Sequence, residues 1–230
     1  EIGDEELPGV QKRLIAMARD CNKLVITATQ MMESMITNPI PTRAEVLDVA
    51  NAVMDGSDAV MLSAETAAGD FPVKAVEAMA RVCVGAERQQ TVERRSRNFA
   101  KHFERIDETI ALAAIYTARH MNAKAIVALT ESGATALLMS RTHSNIPIYA
   151  LTRHESTRRR MALCRGVFPV GFSPSVLDGL APIAEALACL QKTGAVEHGD
   201  RVLLTCGENI GPGGTNSLKV VTVGEWQPPM

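Results

Sequence analysis

Aromatic residues are scarce in this chain, 3% of 230 residues, with one tryptophan, two tyrosines and five phenylalanines. That leaves few flat platforms on which nucleobases stack. An excess of one charge is also lacking, because 24 Lys and Arg nearly offset 26 Asp and Glu. A net charge of −2 supplies no field that would gather nucleic acid or an anionic membrane. No apolar run approaches the roughly 20 residues of a membrane helix, and the acidic start "EIGDEELPGV" does not read as a signal peptide. Five cysteines, at 21, 83, 164, 189 and 206, form no C-x-x-C pair. This argues against a disulfide framework or zinc site and for reduced thiols in a cytoplasmic protein. The histidines are equally scattered and receive no metal or proton-transfer role.

What is present is alternation of helix and strand, in two runs. In the first, "VQKRLIAMARDC" places Val10, Leu14, Ile15, Met17, Ala18 and Cys21 on one helical face. "KLVITAT" follows as a strand. "PTRAEVLDVANAVMDG" is a helix with clear punctuation: Thr42 caps it, Glu45 closes a capping box, and Gly56 gives the left-handed exit. "DAVMLS" is a short apolar strand, of the kind covered on both faces, and "FPVKAVEAMARVCVGA" is a further helix. This spacing predicts parallel βα units. The pattern lapses in the charged strip 89–106, read as a linker with room for some helix, whose Arg94, Arg95 and Arg97 could touch a phosphate but more readily form a solvated segment.

The second run, 107–230, predicts a three-layer α/β domain with a mostly parallel five-stranded sheet. Its last strands, "DRVLLTCG" and "SLKVVTVGE", have too little chain between them for a crossover helix and are expected to pair antiparallel.

Working residues in parallel α/β folds gather at the carboxyl ends of strands. Both strands of the first run end in polar groups: Thr27, Thr29 and Gln30 after one, Ser63, Glu65 and Thr66 after the other. A threonine there can pass a proton to a reacting carbon, and a Ser-Glu pair can hold the water that replenishes it; capping of the next helix is the competing use. In "LTESGATALL", a strand gives way to a Ser-Gly turn and a helix. Its N–H groups and the hydroxyls of Thr130, Ser132 and Thr135 would converge on a helix N-terminus that favours phosphate, although simple capping competes and no P-loop pattern is present. "GPGGTN" at 211–216 could cover the same ligand. "TRRR" at 157–160 could add positive charge there, although an arginine run on a helix is more often a solvated face.

The stretch "VITATQMMESMITNPIPTRAEVLDVANAVMDGSDAVMLSAETAAGDFPVKAVEAM" closely resembles pyruvate kinase over the last strands of its catalytic (β/α)8 barrel. The second run resembles the C-terminal allosteric domain of the same family, including the Thr-x-Ser-Gly loop and a Gly-Thr-Asn loop. The resemblance implies residues 1–88 as the end of a TIM barrel, 89–106 as linker and 107–230 as the C-terminal domain. It implies Thr29 as substrate-binding and catalytic, beside the methylene of the enolate, with Ser63 and Glu65 as the remaining catalytic residues of a proton relay. It also implies Thr130, Ser132, Gly133, Ala134 and Thr135 as the seat of an effector's phosphate. Glu131 stands where some members activated by fructose 1,6-bisphosphate carry a lysine, so AMP or a sugar monophosphate is the expected effector.

The implied reaction moves phosphoryl from phosphoenolpyruvate to ADP, giving pyruvate and ATP, with Mg2+ (or Mn2+) and K+, in a cytoplasmic homotetramer. The family is about twice as long. Its metal ligands and its phosphoryl-stabilising lysine are expected upstream of Glu1, so this chain is expected to be an inactive C-terminal portion by itself. The alternative is a catalytically inactive module that binds a phosphate ligand.

Overall fold

The structure, a computed structural model, describes residues 3–93, 103–142, 144–175, 181–207 and 214–225. The chain divides into two compact units, Glu1–Arg97 and Asn98–Met230.

The first unit runs α1 (Leu7–Asp20), β1 (Ile26–Ala28), a 3-10 turn (Glu33–Ile36), α2 (Arg43–Asp55), β2 (Ala59–Met61), α3 (Ala64–Ala67) and α4 (Pro72–Glu93). Its strands pair in parallel, Ile26 with Ala59, Thr27 with Val60 and Ala28 with Met61, so both leave toward the same end. The ends of α2 follow from local chemistry. The Thr42 hydroxyl accepts the Glu45 N–H, the Glu45 carboxylate accepts the Thr42 N–H, and Gly56 leaves at φ 106°, a conformation without steric penalty only for glycine. The core of the unit is Met31, Met32, Met35, Val49, Ala52, Ala75, Ala78 and Met79.

Sequence expectations are altered here at α1 and β2. The helical face expected on α1 is mostly open: Ile15 is buried, while Leu14 and Met17 are 58% and 57% exposed. The second strand is not covered on both faces either, with Met61 45% exposed. Periodicity reports which face is apolar, and burial requires a packing neighbour as well. The last helix of the unit also runs on into the charged strip, as far as Glu93. Arg94, Arg95 and Arg97 lie outside the described residues.

The second unit contains α5 (Ile106–His120), β3 (Ala125–Leu129), α6 (Ala134–Arg141), β4 (Ile148–Thr152), α7 (Glu155–Met161), β5 (Val167–Gly171), α8 (Ala181–Lys192), β6 (Arg201–Gly207) and β7 (Thr215–Thr222). The sheet order is β5-β4-β3-β6-β7. All neighbours are parallel except β6 and β7, which pair antiparallel as their short connection requires. Along β3, Ala125 and Val127 join Ile183, Leu187 and Leu190 of α8 in one cluster. Ile126 and Ala128, pointing the other way, are buried as completely, and α5 packs against that sheet with Ala111, Ala114, Ile115 and Ala118 buried. Two covered faces make three layers, and a doubly covered strand must be apolar throughout.

Candidate functional site

Parallel pairing of β1 and β2 puts Thr29 and Ser63 just beyond the same end of the small sheet. Thr29 and Gln30 there adopt φ values of 71° and 54°, in the left-handed region that β-branched residues avoid. Thr29 is exposed, and its hydroxyl donates to the Ala28 carbonyl at 2.6 Å. Ser63 is also exposed and precedes α3 without capping it through its side chain. Thr27 does not join them, because its hydroxyl shares a 2.7 Å hydrogen bond with Ser57.

Glu65 lies beneath, 2% exposed. One carboxylate oxygen accepts the Met32 N–H at 3.1 Å, the other the Ser63 N–H at 2.7 Å. Burial alone would raise its pKa, but the N–H groups of Glu65 itself, Ser63 and Met32 outweigh burial and hold the group below its ordinary value. Glu65 therefore ties the segment after β1 to the segment after β2 as an anion.

Glu45 does similar work from α2. Besides the Thr42 N–H (2.7 Å) and hydroxyl (2.9 Å), it accepts the N–H and the hydroxyl of Ser34, each at 2.6 Å. Burial opposes ionisation here too, and the donors from Ser34 and Thr42 prevail, lowering the pKa. The capping box was legible in the sequence; the reach to Ser34 was not, since nothing in a local motif says which turn will fold over it.

In the second unit, Thr130 to Thr135 join β3 to α6. The Thr130 hydroxyl accepts the Gly133 N–H at 2.8 Å, and the Ser132 hydroxyl accepts the Ala134 N–H at 3.4 Å. These bonds close the turn, and α6 begins after Gly133 without a side-chain cap. Gly133 has φ 80°. The Thr135 hydroxyl, buried, meets that of Thr215 at 2.6 Å, which brings the Gly-Thr-Asn segment to the loop; residues 211–213 lie outside the described residues. Glu131 pairs with Arg153 and His154, so its charge is balanced locally.

The arginine run divides. Arg158 and Arg159 pair with Glu155 along the helix surface, as a solvated face does. Arg160 instead donates to the Ser132 carbonyl, placing a guanidinium at the loop. The available signal was the missing acid: Glu155 lies three and four residues before Arg158 and Arg159, and no acid stands at that spacing before Arg160. A cleft of about 450 Å³, lined by Asn122, Lys124 and Arg201 among others, opens at the opposite end of this sheet. Among the described residues, no group of three His, Cys, Asp or Glu could hold a metal ion, and no helix is long and apolar enough to cross a membrane.

Comparison with known proteins covers both units. The family model of the pyruvate kinase barrel domain matches residues 1–76, and that of the pyruvate kinase alpha/beta domain matches 108–221. Pyruvate kinase II of Salmonella typhimurium is 52% identical over 225 residues, 97% of this chain and 47% of the relative. Pyruvate kinase of Haemophilus influenzae is 52% identical over 208 residues, 90% of this chain and 43% of its own length. The Dictyostelium discoideum enzyme is 43% identical over 235 residues, 98% of this chain and 46% of its own. The chain spans about half the length of these curated relatives. With both domain models matched in order, one on each unit, this chain belongs to the pyruvate kinase family.

Proposed function

We propose that this chain is the proton-delivery side and effector domain of an enzyme that transfers the phosphoryl group of phosphoenolpyruvate to ADP. In that reaction the phosphorus–oxygen bond of phosphoenolpyruvate breaks as an ADP oxygen takes the phosphoryl group. The enolate left behind must gain a proton on its methylene carbon to become pyruvate. Mg2+ and K+, which the family uses, stabilise charge during transfer. The step we assign to the residues of this chain is the delivery of that proton.

The observation that carries this reading is the strained, exposed Thr29 at the end that also presents Ser63, above an ionised Glu65. Strain in a branched residue at a strand end is characteristic of functional positions. Rotation about χ1 frees the Thr29 hydroxyl from the Ala28 carbonyl to donate to carbon, and water held at Ser63 and Glu65 returns a proton to the Thr29 oxygen. In the intact protein, Thr29→Ala should lower kcat by roughly 10²–10⁴-fold, the range for a positioned proton donor. Near-normal turnover would remove Thr29 from the mechanism.

The second unit supports binding of a phosphorylated effector at Thr130, Ser132, Gly133, Ala134 and Thr135. Arg160 at the Ser132 carbonyl adds a cation to the helix N-terminus there. Calorimetric titration of this chain with AMP, ribose 5-phosphate and glucose 6-phosphate tests it. Binding without turnover by the intact protein would favour a non-catalytic module, and no heat from folded protein would reduce the loop to a helix cap.

A further inference from the structure

The turn after β1 is more constrained than its composition demands. Thr29 and Gln30 hold positive φ without a glycine between them, and such strain persists only where surrounding structure over-determines it. The apolar part of that structure is Met31, Met32 and Met35, packed with Val49, Ala52 and Met79. Methionine is unbranched and adaptable, so its packing leaves the backbone several choices. Directional restraint comes from two carboxylates. Glu65 holds the Met32 N–H, and Glu45 holds both the N–H and the hydroxyl of Ser34.

We propose that Glu45 and Glu65 form a two-point brace on residues 29–36, and that Glu45 is thereby a positioning residue for the Thr29 hydroxyl. This rests on Thr29 delivering the proton, as proposed above. Within the brace Glu65 accepts the backbone N–H groups of Met32 and Ser63, in addition to its place in the proposed relay. Glu45 touches no reacting atom. Its four donors engage both oxygens, three on Oε2 and the Ser34 N–H on Oε1. An amide in its place cannot satisfy them: with its oxygen toward the three donors on Oε2, its NH2 faces the Ser34 N–H.

The test uses three variants of the intact protein. Glu45→Gln breaks the brace and the helix cap together. Ser34→Ala removes one hydrogen bond of the brace and leaves the cap. Thr42→Ala removes the cap hydroxyl and leaves Ser34 on Glu45. Two readouts follow the proton step: uptake of deuterium into the methyl group of pyruvate, and the solvent isotope effect on kcat. Misplacement of a reacting group by about 1 Å lowers rates up to about 100-fold. Glu45→Gln should therefore slow methyl exchange about 10–100-fold, raise the solvent isotope effect and change KM for phosphoenolpyruvate by less than about twofold. Ser34→Ala should fall between it and the parent. Thr42→Ala should lower thermal stability and leave exchange unchanged.

Exchange at the parent rate in Glu45→Gln, or equal losses in Glu45→Gln and Thr42→Ala, would overturn the brace. A parent protein that turns over no phosphoenolpyruvate refutes the proposed function instead, and amide hydrogen exchange then decides the brace by itself. Residues 29–36 should exchange about tenfold faster in Glu45→Gln than in the parent or Thr42→Ala, a loss of roughly one decade in protection. Equal protection in all three refutes the brace.

Discussion

Met161 Sδ occupies the space that a side chain at position 133 would need. A Cβ on Gly133 would lie 2.5 Å from that sulfur, and Gly133 holds φ 80°. Both facts require glycine, one through contact and one through backbone conformation.

Gly133→Ala should therefore destabilise the protein by roughly 2–4 kcal/mol, combining left-handed strain with overpacking. Met161→Ala, which empties a buried site, should cost about 2–5 kcal/mol by itself. Their combination should lose less than the two together, because the smaller residue at 161 receives the new methyl group. Urea unfolding of the four proteins gives the coupling, and strict additivity would show that the sulfur does not set the constraint.

The hydroxyl pair Thr135–Thr215 joins the start of α6 to β7, with both residues buried. Thr135→Val should cost about 1–3 kcal/mol by leaving the Thr215 hydroxyl unsatisfied. The double change to valine should recover most of that, since two apolar groups of the same shape need no partner. A double variant as unstable as the sum of its parts would mean that the hydrogen bond is not what links these elements.

Much of this was legible in the sequence because it is local. The ends of α2 follow from Thr42, Glu45 and Gly56 within a turn of where they act, and the antiparallel β6–β7 pair follows from the length of its loop. Long-range partnership was not legible. The open face of α1 has the right period and lacks a neighbour. Thr29 and Gln30 carry positive φ where no glycine or asparagine announces it. The Ser34–Glu45 and Ser132–Arg160 contacts join segments whose approach is set by tertiary packing. The end of the sheet where Thr29 and Ser63 emerge could be named from the βα alternation, while the anchoring of Glu65 on Met32 required coordinates.

Thr29→Gly should separate stability from activity. Glycine adopts φ 71° freely, so the folded state loses strain of about 1–2 kcal/mol, part of which is offset by the greater freedom of the unfolded chain. A net gain of roughly 0.5–1 kcal/mol is expected, together with a fall in kcat of the intact protein as large as that of Thr29→Ala. Thermal unfolding and initial rates on the same preparation check both halves. A variant that is less stable than the parent would show that the Thr29 conformation is not strained.

Acid should loosen the first unit through Glu65 and Glu45. In the folded chain both carboxylates are held below their ordinary value of 4.5. The folded state therefore releases these protons more readily than the unfolded state. Their stabilisation is complete above the unfolded value, and it is lost as pH falls through the lowered folded values. Glu65→Gln cannot ionise, so it should be less stable than the parent at neutral pH, and the two should converge in acid. Its stability should also depend less on pH below about 4.5. The same pattern, smaller, is expected for Glu45→Gln, because that side chain is only partly buried. Urea midpoints measured from neutral pH down to about pH 3 follow the convergence. Parallel curves for parent and Glu65→Gln across that range would mean that the backbone N–H groups of Met32 and Ser63 do not favour the ionised carboxylate, and the brace would lose its electrostatic basis.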